Sequence, residues 1–235
     1  MPKYIMGFSK LGLMKYTSHL DMVRLFKRSF KKANINLVHS QGFNPHPKMA
    51  FVLPLSLGYE STCELLEFEI VGTELSEEEM GAKLKGIMPE GISVDSLIEN
   101  KESGNLSGRV VEAEYVIKFH MNLDNVNLDN VDLEDLGLDN LAEKFLGQEQ
   151  ILVQKRAKSK HRRKGFDFKE VDIKPLIVNL DARLISDVVA LTARLKAGST
   201  ENLNPELLLK SIIDFANLDI KKEDAQIMRT EIILG

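Results

Sequence analysis

The stretch YIMGFSKLGLMKYTSHLDMVRLFKRSFKKA, residues 4–33, decides the fold class. Its start alternates: Tyr4, Met6 and Phe8 fall on one face, the pattern of a half-buried strand. Gly12 marks the turn that follows. Ser18 then opens a helix. Its hydroxyl can cap the first turn, and Asp21 stands three residues on, in the capping-box position. Met22, Phe26, Phe30 and Ala33 recur at helical spacing and predict a buried face on a helix reaching to about Ala33. Arg24, Lys27, Arg28 and Lys31 recur at the same spacing on the opposite face.

The next segments extend this start into a repeating order. Ser40-Gln41-Gly42-Phe43-Asn44-Pro45-His46-Pro47 holds two prolines and a glycine, which forbid a regular helix there. Met49 to Leu53 reads as a strand stopped by Pro54. Leu65 to Val71 reads as another, with Leu66, Phe68 and Ile70 on its core face and Glu67 and Glu69 on its polar face. Ser76 caps a second helix whose first turn carries Glu77, Glu78 and Glu79, where negative charge suits the helix dipole. Ile92 to Ile98 is a further strand. Strand, helix, strand, strand, helix, strand is the split βαβ, or ferredoxin-like, order.

The second half repeats that order with one extra strand or a long hairpin. Strands are predicted at Ala113 to His120, Gln150 to Lys155, Val171 to Val178, Asp187 to Leu195 and Gln226 to Leu234. Helices are predicted at Leu138 to Leu146 and from Pro205, which sits at a helix start after Asn204, to about Ala216. The reading is an α+β protein of two tandem ferredoxin-like (split βαβ) domains, residues 1–105 and 106–235. The polar stretch Glu99 to Gly108 joins them. Residues 122–140, with Leu-Asp-Asn repeated three times, form an acidic insertion in the second domain.

Composition narrows the chemistry. The single cysteine, Cys63, cannot supply the three or four thiolates of an iron–sulfur cluster. The five histidines lack the short spacing of a zinc site, so no metal site is expected. No apolar run is long enough to cross a bilayer, and no apolar signal core follows Met1-Pro2-Lys3. The expectation is a cytoplasmic chain with no membrane partner. The net charge of −4 hides a strong pattern. Residues 1–60 carry nine Lys/Arg against two Asp/Glu, and residues 151–200 carry twelve against five. Residues 61–150 between them carry six against twenty-one. Two basic islands flank an acidic block.

The run Tyr16 to Asp21, the helix after it, the block Ser40 to Lys48 and Leu55-Ser56-Leu57-Gly58 resemble the radical SAM-linked protein family. Val171 to Leu176 is a shorter match. The resemblance covers most of the chain, and the acidic Leu-Asp-Asn insertion departs from it. It implies a domain found free-standing or fused behind a radical SAM domain, often encoded beside ribonuclease G and ribosomal proteins. The family has no assigned reaction. With Cys63 alone, this chain binds no cofactor of that chemistry. A partner enzyme is implied to carry the iron–sulfur cluster and S-adenosylmethionine.

Two basic elements then point to RNA as a partner. Lys155, Arg156, Lys158, Lys160, His161, Arg162, Arg163 and Lys164 form a basic hairpin arm, residues 155–164, of the kind that displaces counterions from a phosphate backbone. The stripe Arg24, Lys27, Arg28 and Lys31 is the second. Ser40, Gln41, Gly42, Phe43, Asn44 and His46 make a recognition loop in which Phe43 offers a stacking face. His19, Asp21 and His46 are the candidate acid–base residues. The function expected is a non-catalytic RNA-binding or substrate-delivery partner of a radical SAM enzyme. The alternatives are a metal-independent RNA-processing or RNA-modifying enzyme using His19 and His46, similar in architecture to the CRISPR RNA-processing endonucleases, and a protein–protein scaffold.

Overall fold

In the computed structural model the chain is described at residues 1–72, 74–120, 140–158 and 166–235, with backbone alone at 156–158, 166–167 and 222. It forms ten strands and four helices among the described residues. Two compact units emerge: Met1–Val111 together with Met228–Gly235, and Glu112–Ile227.

The first unit opens with β1 (Lys3–Lys10), whose Tyr4, Met6 and Phe8 are buried as alternation requires. A 3-10 turn at Gly12–Tyr16 leads into α1 (His19–Lys32). Ser18 caps α1: its hydroxyl accepts the Asp21 amide at 3.2 Å and donates to the Asp21 carboxylate at 2.7 Å. Met22, Phe26 and Phe30 turn into the core from α1. Ser18→Ala removes that cap and is expected to cost about 1 kcal/mol, read as a lower thermal unfolding midpoint.

Strands β2 (Met49–Phe51) and β3 (Glu60–Glu69) follow, then α2 (Glu77–Lys85) and β4 (Ile92–Glu99). Helix α2 carries a full capping box between Ser76 and Glu79. Strand β1 lies between β4 and β3, antiparallel to both, and β2 is antiparallel to β3. The order β4-β1-β3-β2 is compatible with the ferredoxin-like pattern. The last strand, β10 (Gln226–Leu234), runs parallel to the start of β3, with Met228 opposite Glu60 and Arg229 opposite Ser61. It therefore shares the edge of β3 with β2, each taking one end.

Gly91 fixes the turn before α1. Its φ is +87°, and a Cβ there would stand 2.5 Å from the Leu11 carbonyl, so only glycine fits. The Leu11 amide in turn donates to the Gly91 carbonyl at 2.8 Å.

The second unit contains β5 (Val110–His120), which enters it at Glu112, α3 (Leu141–Leu146), β6 (Leu152–Lys158), β7 (Phe166–Asp172), β8 (Ile177–Ile185), β9 (Val188–Lys196) and α4 (Pro205–Ala216). Strand β9 is antiparallel to both β5 and β8, while β6 and β7 form a separate ribbon. Ala113, Tyr115, Ile117 and Phe119 from β5 meet Val189, Leu191, Ala193 and Leu195 from β9 in its core, with Leu208, Leu209 and Ile212 of α4 also buried. Asn204 caps α4, accepting the Glu206 amide at 2.8 Å.

Two expectations need correction. The single strand read over Val171 to Val178 is two, because Pro175 lacks an amide hydrogen and sits in a 3-10 turn at Lys174–Leu176. The Asp172 carboxylate closes that corner by accepting the Lys174 and Ile151 amides. Glu67, assigned to a polar face, is buried: it pairs with Lys3 at 2.7 Å and accepts from Asn100 at 3.2 Å.

Candidate functional site

The recognition loop is closed by its own hydrogen bonds. The Ser40 amide donates to the His46 carbonyl at 2.9 Å, and the Ser40 hydroxyl lies 2.9 Å from His46 Nδ1 while accepting the His46 amide at 3.1 Å. His39 bridges to Pro47, and the Lys48 amide reaches the Val38 carbonyl at 2.7 Å. Gly42, at φ +130°, makes the bend that a side chain would oppose. At the loop's outer end Phe43 is fully exposed, and Gln41, Asn44 and His46 are exposed beside it.

Arg24, Lys27, Arg28 and Lys31 are all exposed along α1, as their spacing predicted. Arg24 is paired with Asp21 at 2.9 Å. The bonds from Ser18 and Arg24 hold the Asp21 carboxyl below its ordinary range. Strands β6 and β7 pair antiparallel from Leu152 opposite Asp172 to Lys158 opposite Phe166. Lys155 is exposed on β6, and Arg156 and Lys158 belong to its backbone. Lys160, His161, Arg162, Arg163 and Lys164 lie outside the described residues, as does the acidic insertion except for Asn140.

The candidate acid–base residues take separate partners. His46 is bonded to Ser40 in the loop that enters β2. His19 instead meets the edge of Phe51, at the exit of β2, with ring centroids 5.3 Å apart. No hydrogen bond joins His19 to His46 or Asp21 among the described residues.

A cleft that sequence reasoning missed lies beside His19. It measures about 20 Å³ and is lined by Phe8 and Lys10 of β1, His19 and Met22 of α1, Phe51, Leu55 and Glu64. Behind it is a buried charge cluster. Arg229 Nη1 donates to Glu64 Oε1 at 2.9 Å and to the Leu53 carbonyl at 2.7 Å. Burial pushes the Glu64 carboxyl up, and the Arg229 guanidinium opposes that rise. Burial pushes the Lys10 ammonium down, with Glu64 opposing it. The signal was strand parity: Lys10 continues the inward face of Phe8, and Glu64 that of Leu66 and Phe68.

Two of the segments that carry the family resemblance, residues 16–21 and 55–58, meet here. Lys10 Nζ donates to the Thr17 carbonyl at 3.2 Å, the Gly58 amide donates to the Lys15 carbonyl at 2.8 Å, and Leu55 and His19 share the cleft. Cys63 is half-buried on β3, 3.6 Å from the Ser61 hydroxyl, and burial pushes its thiol up to about 11. That disfavours the reactive thiolate. No described helix is long and apolar enough to cross a membrane.

These features define a mixed α+β protein on mostly antiparallel sheet, with an exposed aromatic loop, a basic helix face and a small charged cleft. The chain belongs to the family described as an uncharacterized protein conserved in bacteria (DUF2344), whose model matches residues 3–205. Among curated proteins nothing matches. An unknown protein from Galdieria sulphuraria is similar at 10% identity and a TM-score of 0.28, covering 99% of both chains. A proposed glycine cleavage system transcriptional repressor is similar at 10% identity and a TM-score of 0.23, covering 100% of this chain and 98% of its own. Likeness at these scores carries no argument about function.

Proposed function

We propose that this protein is a non-catalytic, RNA-binding substrate-delivery partner of a radical SAM enzyme, acting in the cytoplasm on ribosomal or transfer RNA. In this reading both halves are ferredoxin-like, arranged in tandem. One observation carries it: Phe43 stands fully exposed on a loop closed by the Ser40–His46 hydrogen bonds. An aromatic ring held in water by an ordered loop has lost its hydrophobic gain, and a stacked base restores it. Gln41, Asn44 and His46 flank the ring with donors and acceptors. The exposed cations of α1 supply the phosphate contacts. The tie to a radical SAM enzyme rests on the sequence resemblance. Cys63 alone leaves the cluster to that partner.

Fluorescence anisotropy with a labelled single-stranded RNA, titrated at several salt concentrations, tests this. Phe43→Ala is expected to weaken binding by about 1–3 kcal/mol with folding unchanged. Neutralising Lys158, Lys160, Arg162 and Arg163 is expected to flatten the salt dependence by about 0.7 in slope for each phosphate that no longer meets a cation. Binding that ignores both salt and Phe43 ends the proposal.

A further inference from the structure

Strand β6 is paired along one edge. Among the described residues it pairs with β7 alone. Its ladder starts with Leu152 opposite Asp172, and just before it the Ile173 amide donates to the Ile151 carbonyl at 2.9 Å. Antiparallel pairs alternate between hydrogen-bonded and non-hydrogen-bonded. The bonded set therefore runs through Ile151, Val153 and Lys155. Leu152 and Gln154 fall between, so their amides and carbonyls point away from β7 toward the other edge. Such a row of backbone groups is a template for a further strand.

A groove of about 380 Å³ runs along that edge. Leu152, Val153 and Gln154 all line it. Successive strand residues point to opposite faces, so a groove that borders all three lies against the edge of the strand. Its other wall is α4, where Leu207, Lys210, Ser211, Asp214 and Phe215 recur as one helical stripe. Phe145 of α3 adds an aromatic end, its ring 5.4 Å from that of Phe215. Leu152 is 51% exposed and Phe215 41%, so both walls hold apolar surface in water. A strand edge facing a helix across a groove is the shape that takes an extended peptide, with main chain on the edge and side chains in the groove. The volume falls in the range of sites that hold a ligand.

Charge sets the chemistry of that peptide. Lys155, next along β6, stands directly opposite Lys169, and both are exposed. Like charges placed directly opposite repel. An acidic residue on an added strand, level with Lys155, relieves that repulsion. The apolar walls at Leu152 and Phe215 suit aliphatic residues beside it.

We propose that this groove binds an extended peptide segment, aliphatic with a neighbouring acidic residue, which adds as a strand to the open edge of β6. Only Lys155 is shared with the RNA reading, and the test uses no nucleic acid.

The whole protein is titrated with acetyl-Glu-Val-Leu-Val-Glu-amide, whose alternation reads the same in either direction, and the NMR amide signals of Leu152 and Gln154 are followed. A saturable shift of both is expected. The same peptide with its backbone amides N-methylated cannot pair with the edge, and it should bind about tenfold or more weakly. Gln154→Pro removes an amide that β7 does not use, which an edge strand tolerates, and should weaken binding to a similar degree. Signals that never shift, equal binding of the N-methylated peptide, or full binding by folded Gln154→Pro overturns the site. Equal binding of a peptide with lysine at both ends overturns the acidic assignment. Leu152 and Gln154 signals that move with protein concentration alone give the edge to a second copy of the chain and overturn the peptide proposal.

Discussion

Replacing Arg229 with methionine is expected to lower the stability of the first unit by about 3–5 kcal/mol, the usual cost of removing one partner from a buried ion pair. Arg229 is where β10 meets β3, and its guanidinium ties three segments together. It holds Glu64 of β3 at 2.9 Å and the Leu53 carbonyl, just past β2, at 2.7 Å. Without it Glu64 is left as a buried carboxylate. The loss has a pH signature. Burial already raises the Glu64 carboxyl, and Arg229 pulls it down, so in the variant it rises further. A carboxyl whose folded pKa exceeds its unfolded one takes up a proton on folding. Stability then falls as pH rises from the ordinary carboxylate range through the folded pKa. The deficit of Arg229→Met should therefore be largest at neutral pH and narrow on acidification. Urea unfolding followed by circular dichroism at a series of pH values measures this. A pH-independent deficit would show that Arg229 acts through packing alone. Adding Glu64→Leu to Arg229→Met should return only part of the loss, because no carboxylate then stays buried but the Lys10 ammonium does.

Phe26→Ala is expected to cost about 3–5 kcal/mol. Phe26 is fully buried on α1, with its ring 4.9 Å from Phe8 and 5.5 Å from Phe51. Phe51 also meets His19, so this aromatic group is both core and back wall of the cleft. The substitution opens a cavity that the rigid rings around it cannot close. Amide hydrogen exchange should show the first unit opening more readily, with β9 of the second unit little changed. An equal rise in exchange across both units would mean that they unfold as one.

Much of this architecture was readable before folding. The alternation of Tyr4, Met6 and Phe8, the Ser18 cap and the 22-26-30 spacing specify β1 and α1, because each depends on neighbours in the chain. The cap at Ser76 and the helix start at Pro205 were legible for the same reason. The corner at Pro175 was a local signal passed over, since the proline stood inside the predicted strand. The recognition loop was legible as a rigid turn, but its closure by Ser40 and His46 was not. A hydrogen bond between side chain and backbone across six residues has no periodicity.

The charged cleft divides the two kinds of information most sharply. Parity alone places Lys10 beneath Phe8 and Glu64 beneath Leu66, a conflict visible in the sequence as charge at core-facing positions. What no local pattern contains is Arg229, which lies 165 residues from Glu64 in the chain yet 2.9 Å from it in space. Only the parallel pairing of β10 with β3 brings that guanidinium to the carboxylate. Local preferences act over a turn of helix or a pair of strand residues, whereas the balance of buried charge is settled by which strands become neighbours.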